Sequence, residues 1–369
     1  MKFPIEQVWV DDEVRDEPLT REILRKLPAA RILGKNEIED QCRAMEMDRD
    51  PFNRGKRTLR LTKNKGAFVK PCPGTPEYIC CGLEILNIGQ GCPMDCRYCA
   101  LQVYFNRPIL EVFVNTGDLF SDLERHLIND PRGVHRICTG EFTDSLALDP
   151  LTGLAGKLAE FFSRSTNASL EIKTKTDFVD PLLEVDPHGR VVIAFSVNSR
   201  EITRKDEIRA APVAKRLAAA ARAEKRGYRI AFHFDPIIPV PGWEEAYSSV
   251  INEIFTTVDP SSISWISMGV LRFVPALKEI AAARFGRIPY FHDGFIRGLD
   301  GKSRLHVDRR INIYKYMIDK IRRRAREARI YLCMESPHVW RECLGISMDS
   351  DDDLTSYLDS AILPYTYGL

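Results

Sequence analysis

Neither sign of charge dominates this chain: 53 Lys and Arg face 52 Asp and Glu, a formal charge of +1. That balance excludes a nucleic-acid binder working by gross positive charge, though it leaves room for a local basic surface. Long apolar runs are also missing. The longest, around Val191 to Phe195, is far too short to cross a bilayer. The opening residues, MKFPIEQVWVDDEVRDEP, carry acids where an export signal needs an apolar stretch. There is no internal repeat and no low-complexity segment. These absences leave no membrane partner and make the cytoplasm the expected compartment.

What is present is ordinary for a globular protein. Hydrophobic residues make up 44% of the 369 residues and charged residues 28%, and the mean hydropathy is -0.23, enough apolar content to bury a core. The length fits roughly 2.5 domain-sized units, or one α/β barrel with additions.

Residues 1–76 read as an N-terminal accessory region, with polar helices expected over 20–27 and 37–47. A basic stretch follows, holding Arg54, Lys56, Arg57, Arg60, Lys63, Lys65 and Lys70, and it ends in the turn-rich PCPGTP. From residue 77 to about 275 short apolar runs alternate with longer mixed segments. Strands are expected over 81–88, 134–139, 170–175, 191–197, 230–236 and 263–271. Helices are expected over 116–128, 153–164, 212–226 and 243–256. Six strands alternating with helices predict an α/β protein with a mostly parallel sheet, either a partial (β/α)6 barrel or a doubly wound sheet. Residues 276–369 read as a C-terminal region of helical and strand elements packing on the barrel. It carries a basic helix over 307–326, a short strand over 330–334 and an acidic stretch from Asp349.

Of the ten cysteines, seven lie before residue 100, and in a chain without an export signal they do not form a disulfide scaffold. The sharpest signal is GCPMDCRYC, which spaces Cys92, Cys96 and Cys99 as C-x3-C-x2-C just after the first core strand. Three soft thiolates on one loop suit zinc or an iron–sulfur cluster. A structural zinc would want a fourth ligand. Within the next thirty residues there is only His126, and of the adjacent strand residues Cys80 and Cys81 at most one could join. Three ligands with none in fourth place leave a coordination position open, as in a [4Fe–4S] cubane with one free iron. A three-cysteine zinc site is the alternative, and Cys96–Cys99 alone would equally describe a redox disulfide.

This loop, with Tyr98 just before the last cysteine, resembles the signature of the radical S-adenosylmethionine (SAM) enzymes. The resemblance implies a partial (β/α)6 barrel and SAM chelated to the open iron of a [4Fe–4S] cluster. It also implies reductive cleavage of SAM, with an electron donor such as flavodoxin or ferredoxin. TGEFTDS, at the end of the second expected strand, is similar to the element that holds the SAM amino group, so Gly140 and Glu141 are expected there. By itself a Gly–Glu pair would carry nothing. Gly140 lets backbone approach a ligand, and Glu141 offers a carboxylate to an ammonium.

A closer resemblance is to the spore photoproduct lyase family. GCPMDCRYCALQ, PILEVFVN, GYRIAFHFDPIIPVPGWEEAY and VLRFVPALKEI are all similar to its segments, over about residues 78–330. Cys138 resembles the family's hydrogen-donating cysteine. By type it is a commonly buried residue, but the end of a barrel strand faces the mouth. Lys175 resembles a lysine on the SAM carboxylate, where a core-edge lysine is the plainer reading, and Ser196 a serine near SAM. Ser196 and Asn198, expected on one strand, would share a face and hydrogen-bond a polar ligand. His233 and Asp235 would point the same way, His233 as a packing or hydrogen-bonding residue rather than a cluster ligand.

The resemblance implies repair of a 5-thyminyl-5,6-dihydrothymine lesion in DNA, with Tyr98 and Cys138 catalytic; the oligomeric state is open, with a monomer favoured. The basic tail helix is dense enough in Lys and Arg to meet phosphates, with a solvated face as the plainer reading. One departure stands out. The family has a tyrosine after the third cluster cysteine, one of a pair in a radical relay, and this chain has Ala100. The residues also admit a radical SAM enzyme of the same fold acting on a small molecule or another biopolymer. A non-catalytic iron–sulfur or zinc protein that binds nucleic acid is the third reading.

Overall fold

A computed structural model of the chain describes residues 4–362, apart from 76 and 106, with 35 and 36 described by backbone alone. Its centre is a curled eight-stranded sheet. In spatial order the strands are Ile330–Leu332, Ile263–Val270, Arg229–Ile237, Val191–Ser196, Ala168–Thr174, His135–Cys138, Glu84–Leu86 and Val69–Pro71. All pairs are parallel except the last, Val69–Pro71 on Glu84–Leu86. All six expected barrel strands are present in sequential spatial order, and the expected tail strand extends them. These strands are apolar on their outer face because helices cover it. Phe162 and Leu158 of Leu154–Ser163, Leu217 and Ala220 of Val213–Lys225, and Ile251 and Ile254 of Trp243–Thr257 bury their apolar stripes in the same core as Ile193 and Phe232.

Three expectations need correction. The first barrel strand covers only Glu84–Leu86, because Gly82 turns the chain at φ 63° and the residues after Leu86 leave for another sheet. Cys80 and Cys81 therefore precede the strand rather than alternate on it. The fourth strand stops at Ser196, so Asn198 lies beyond it. The tail helix ends at Arg322.

The N-terminal region holds the expected helices, at Pro18–Lys26 and Lys35–Glu46, and also a sheet that the sequence reading missed. Arg31–Ile32, Gln7–Val10, Thr58–Thr62 and Leu110–Phe113 run parallel there, with Gly89–Gln90 antiparallel at the edge. Val8, Leu59, Leu61, Leu110 and Val112 form its own core. The strands Gly89–Gln90 and Leu110–Phe113 flank the cysteine loop, so this second sheet frames the loop from both sides. A three-stranded sheet, Arg272–Phe273, Ser303–Leu305 and Phe295–Arg297, follows the sixth barrel strand.

The tail helix does not present a bare basic surface. Arg310 is buried against Glu335, Arg309 pairs with Asp293, Lys315 with Glu342, Arg323 with Asp319, and Arg324 bonds Asn252. The face with Ile311, Tyr314, Met317 and Ile321 packs into the core. No helix among the described residues is long and apolar enough to cross a membrane, and all ten cysteines are free thiols.

Candidate active site

The cysteine loop is fastened on every side. Gly91, at φ 81°, lets the chain turn out of its strand, and its N–H donates to Phe142 O at 3.0 Å, tying the loop to TGEFTDS. Asp95–Cys96 pairs with Glu207–Ile208, opposing Cys96 to Glu207. The Gln102 amide donates to Cys96 O at 3.1 Å and Arg97 O at 3.3 Å. Asp95 is buried between two cations: Lys56 Nζ at 2.7 Å, from the N-terminal region, and Arg284 at 2.8 and 2.9 Å. Together they hold its carboxyl below the usual range against the opposing effect of burial.

Cys96 is buried, and Cys92 and Cys99 are partly open. Burial pushes the Cys92 thiol up to about 12, and that of Cys96 well above its ordinary value. Each of these two thiols also feels its neighbours, Cys99 for Cys92, and Cys99 and Cys92 for Cys96. Three soft sulfur donors on one short loop, two of them partly open to an incoming group, are the donor set that iron–sulfur clusters use. The residues therefore fit an iron–sulfur cluster held by Cys92, Cys96 and Cys99.

Behind Cys96 lies a buried polar network that the sequence did not disclose. The Tyr98 hydroxyl donates to Glu207 Oε1, Lys175 Nζ stands 3.5 Å from the same oxygen, and Arg216 binds the other. Arg216 in turn donates to Ser196 O and Ala211 O, both at 2.7 Å. Burial alone would raise the Glu207 carboxyl, but Arg216 and then Lys175 outweigh it and hold the group at about 2. Lys175 also lies 5.5 Å from the centre of the Tyr98 ring. Tyr98, Lys175 and Ser196 thus belong to one assembly. The Ser196 hydroxyl makes no hydrogen bond within the protein among the described residues.

Asn198 has a different place. Its amide donates to Pro236 O at 2.9 Å, and its oxygen accepts from Ser199 N and from the Tyr247 hydroxyl. With both ends of the amide engaged and 1% exposure, it fastens two loops together.

On the neighbouring strand end, Cys138 is fully buried, and its sulfur accepts from Gly140 N at 3.2 Å. Burial pushes its thiol up to about 12, with Lys173 opposing and the Glu171 and Glu141 carboxylates adding to the rise. Gly140 is glycine for packing: a Cβ there would sit 2.5 Å from Lys173 Cβ. Glu141 has no hydrogen bond or ion pair among the described residues, an open carboxylate at the strand end. The loop between them is pinned by Asp144, another residue missed from sequence. It accepts from Leu146 N and Ala147 N at 3.0 Å, from Thr174 Oγ1 at 2.8 Å and from Lys175 N at 2.7 Å.

The lumen is polar. Cys138 opposes Glu171 in register, and Ser196 opposes His233, so Cys138, Glu171, Lys173, Ser196, His233 and Asp235 line one face. His233 Nε2 is 2.7 Å from Glu171 Oε1 yet outside hydrogen-bonding geometry, so both atoms remain unsatisfied. Asp235 holds Arg272 through two 3.1 Å contacts, and Arg272 reaches Cys333 Sγ at 3.3 Å.

Comparison with known proteins agrees with this architecture. A family model described as spore photoproduct lyase matches residues 3–317. The spore photoproduct lyase of Geobacillus sp. (strain Y412MC61) is 25% identical over 284 residues, covering 75% of this chain and 82% of that protein. That of Bacillus subtilis (strain 168) is 26% identical over 224 residues, 60% of each chain. A solved spore photoproduct lyase complexed with dinucleoside spore photoproduct superposes at TM-score 0.79 with 23% identity, covering 90% of this chain and 100% of that one. A mutant with bound AdoMet and the same dinucleoside gives 0.78 at 22% identity with the same coverage. At those identities the structural likeness establishes the fold.

Proposed function

The chain belongs to the spore photoproduct lyase family, a family of radical SAM enzymes, and on that premise we propose that it repairs a thyminyl-dihydrothymine lesion in DNA. One observation carries the reading: an open three-thiol loop, an unpaired Glu141 carboxylate and a protonated, buried Cys138 stand on adjoining loops and strand ends of the barrel. The dinucleoside spore photoproduct bound by a solved relative supplies the substrate class.

A [4Fe–4S] cluster on Cys92, Cys96 and Cys99, with SAM at its open iron, would supply the one-electron cleavage that starts the reaction. The chain's own residues do the rest. Glu141 accepts from the SAM ammonium, Gly140 lets the turn that carries it close on Lys173, and Lys175 with the free Ser196 hydroxyl receives the other polar groups of SAM. Glu207 restrains Lys175 and Tyr98, and Asn198 fixes the loop past Ser196. Cys138 keeps its hydrogen at neutral pH because its thiol titrates near 12. In quenching a carbon radical its S–H bond breaks homolytically, the hydrogen passes to the product, and a thiyl radical remains on sulfur. The buried walls exclude water.

The reductant is a flavodoxin or ferredoxin, and the enzyme works as a cytoplasmic monomer. Its regions 1–76, 77–275 and 276–369 divide the labour, the first gripping the cluster loop through Lys56. A second reading keeps the radical chemistry and changes the substrate to a small molecule or another biopolymer. Ala100 favours it, because the family's paired-tyrosine relay lacks a member here and the Tyr98 hydroxyl is held by Glu207.

The test is an anaerobic assay of reconstituted, reduced protein with SAM and a spore-photoproduct dinucleotide. Restored thymine dinucleotide together with 5′-deoxyadenosine establishes the lyase reaction. Deoxyadenosine without repair keeps the radical SAM chemistry and moves the search to other substrates, and an intact, reduced cluster that never cleaves SAM overturns both.

A further inference from the structure

On the face of the sheet away from the lumen, Glu84 stands between two histidines brought from distant places in the chain. Glu84 opens the first barrel strand, His135 opens the second, and His126 comes from the covering helix Thr116–Asn129. Glu84 Oε1 is 2.7 Å from His126 Nε2, and Glu84 Oε2 is 2.9 Å from His135 Nδ1. One ligand atom from each of the three lies within 4.8 Å of the others. In the strand pairing Glu84 opposes Ile137 and Ile85 opposes Cys138, so this trio and Cys138 are on opposite faces.

Donor counting shows what is missing from it. His135 Nε2 lies 3.1 Å from Asp130 O, a carbonyl that only accepts, so Nε2 carries the ring hydrogen. A neutral imidazole has one N–H, which leaves a lone pair on Nδ1 facing a carboxylate oxygen that also only accepts. The contact therefore needs a positive charge between the two atoms, either a second ring proton, which the hydrogen bond to Glu84 favours by raising the His135 imidazole above its ordinary value, or a metal ion in that proton's place. His135 is nearly buried, with its side chain 8% exposed.

We propose that Glu84, His126 and His135 bind a divalent transition metal of the zinc class, with solvent in the fourth position. Two imidazoles and one carboxylate suit zinc, whereas magnesium and calcium want oxygen ligands. The His135–Asp130 bond is the outer hydrogen bond that fixes a metal-binding imidazole in its tautomer. Ligand bonds of about 2.0–2.1 Å require the carboxylate and rings to part slightly, and His126, 33% exposed on its helix, has room to move. The ion would staple the covering helix to the first two barrel strands. Nothing in it depends on the substrate of the barrel.

The experiment uses untagged protein with its iron–sulfur cluster reconstituted, so that the loop cysteines are occupied. Zinc is added, excess is removed by dialysis, and bound zinc and thermal midpoint are measured. One retained equivalent and a raised midpoint are expected for the native chain. H126A and E84Q should lose both, with affinity falling by about 100-fold or more. H126A without zinc should melt where the native protein without zinc does, which separates lost binding from lost folding. Cobalt(II) in place of zinc should add, in the difference spectrum against the same protein without cobalt, weak visible bands and no new sulfur-to-cobalt charge transfer. Equal zinc retention in H126A, no retention by the native chain, or a new thiolate-to-cobalt band in that difference spectrum would each overturn the proposal.

Discussion

The Gly140 N–H donates to the Cys138 sulfur at 3.2 Å, so the loop bearing Glu141 and the Cys138 thiol are held by one short turn. A buried sulfur accepting a backbone hydrogen bond keeps a fixed direction into the lumen. C138A is expected to retain the cluster and the release of 5′-deoxyadenosine while restored dinucleotide falls to background. Product analysis by mass spectrometry checks this, and a variant that still repairs would remove Cys138 from the mechanism.

Gly140→Ala is a sharper perturbation than it looks. The added methyl meets Lys173 Cβ at 2.5 Å and Ser145 Oγ at 3.1 Å. Overpacking of this kind costs about 1–3 kcal/mol, and the turn must open, releasing the bond to Cys138. Denaturant midpoints should fall, and SAM cleavage should slow even where folding is retained.

Glu141→Gln keeps the shape of the open carboxylate and removes its charge. The expected outcome is a raised KM for SAM with the iron content and visible spectrum of the cluster unchanged. If KM for SAM is untouched, the ammonium is bound elsewhere.

Asp95 is placed between Lys56 and Arg284, and its replacement by Asn leaves the buried Lys56 ammonium with only the Met94 carbonyl and Arg284 with Asp50 alone as a charged partner. Breaking a buried ion pair on one side costs about 3–5 kcal/mol. D95N should unfold at lower denaturant and lose iron faster during gel filtration, because the pair joins the N-terminal region to the cysteine loop.

Glu207 sets a pH dependence. Its carboxyl sits at about 2 in the folded chain against an ordinary 4.5, so the unfolded chain binds the proton more tightly. The stabilisation is present in full above about 4.5 and disappears as pH falls through about 2, a contribution of roughly 3 kcal/mol at most. Acid unfolding followed by circular dichroism should show it. E207Q should flatten stability across that window and be weaker at pH 7, since the fully buried Arg216 then lacks its partner.

The cysteine loop and the strand–helix alternation were legible without coordinates because both are local. Ligand spacing is written along a few residues, and a covered parallel strand must be apolar wherever it occurs. The same locality explains the misreadings. Strand 81–88 was expected too long because apolar content continues through a turn at Gly82, and the acidic partners of Arg309, Arg310 and Lys315, which are Asp293, Glu335 and Glu342, went unseen because they lie elsewhere in the chain.

By itself, then, the sequence marked out the cysteine loop, the alternation of strands and helices and the residues expected at the strand ends. Only the tertiary structure decided that Glu207 and Arg216 back Lys175 and Tyr98, and that Asp144 pins the loop bearing Glu141. It also decided that Lys56 reaches across 39 residues to Asp95, and that Glu84 meets two histidines on the outer face of the sheet. Each of these is a pairing of charged or polar groups distant in sequence. Burial makes such pairs strong and specific, but no local pattern of residues announces which distant partner the fold will supply.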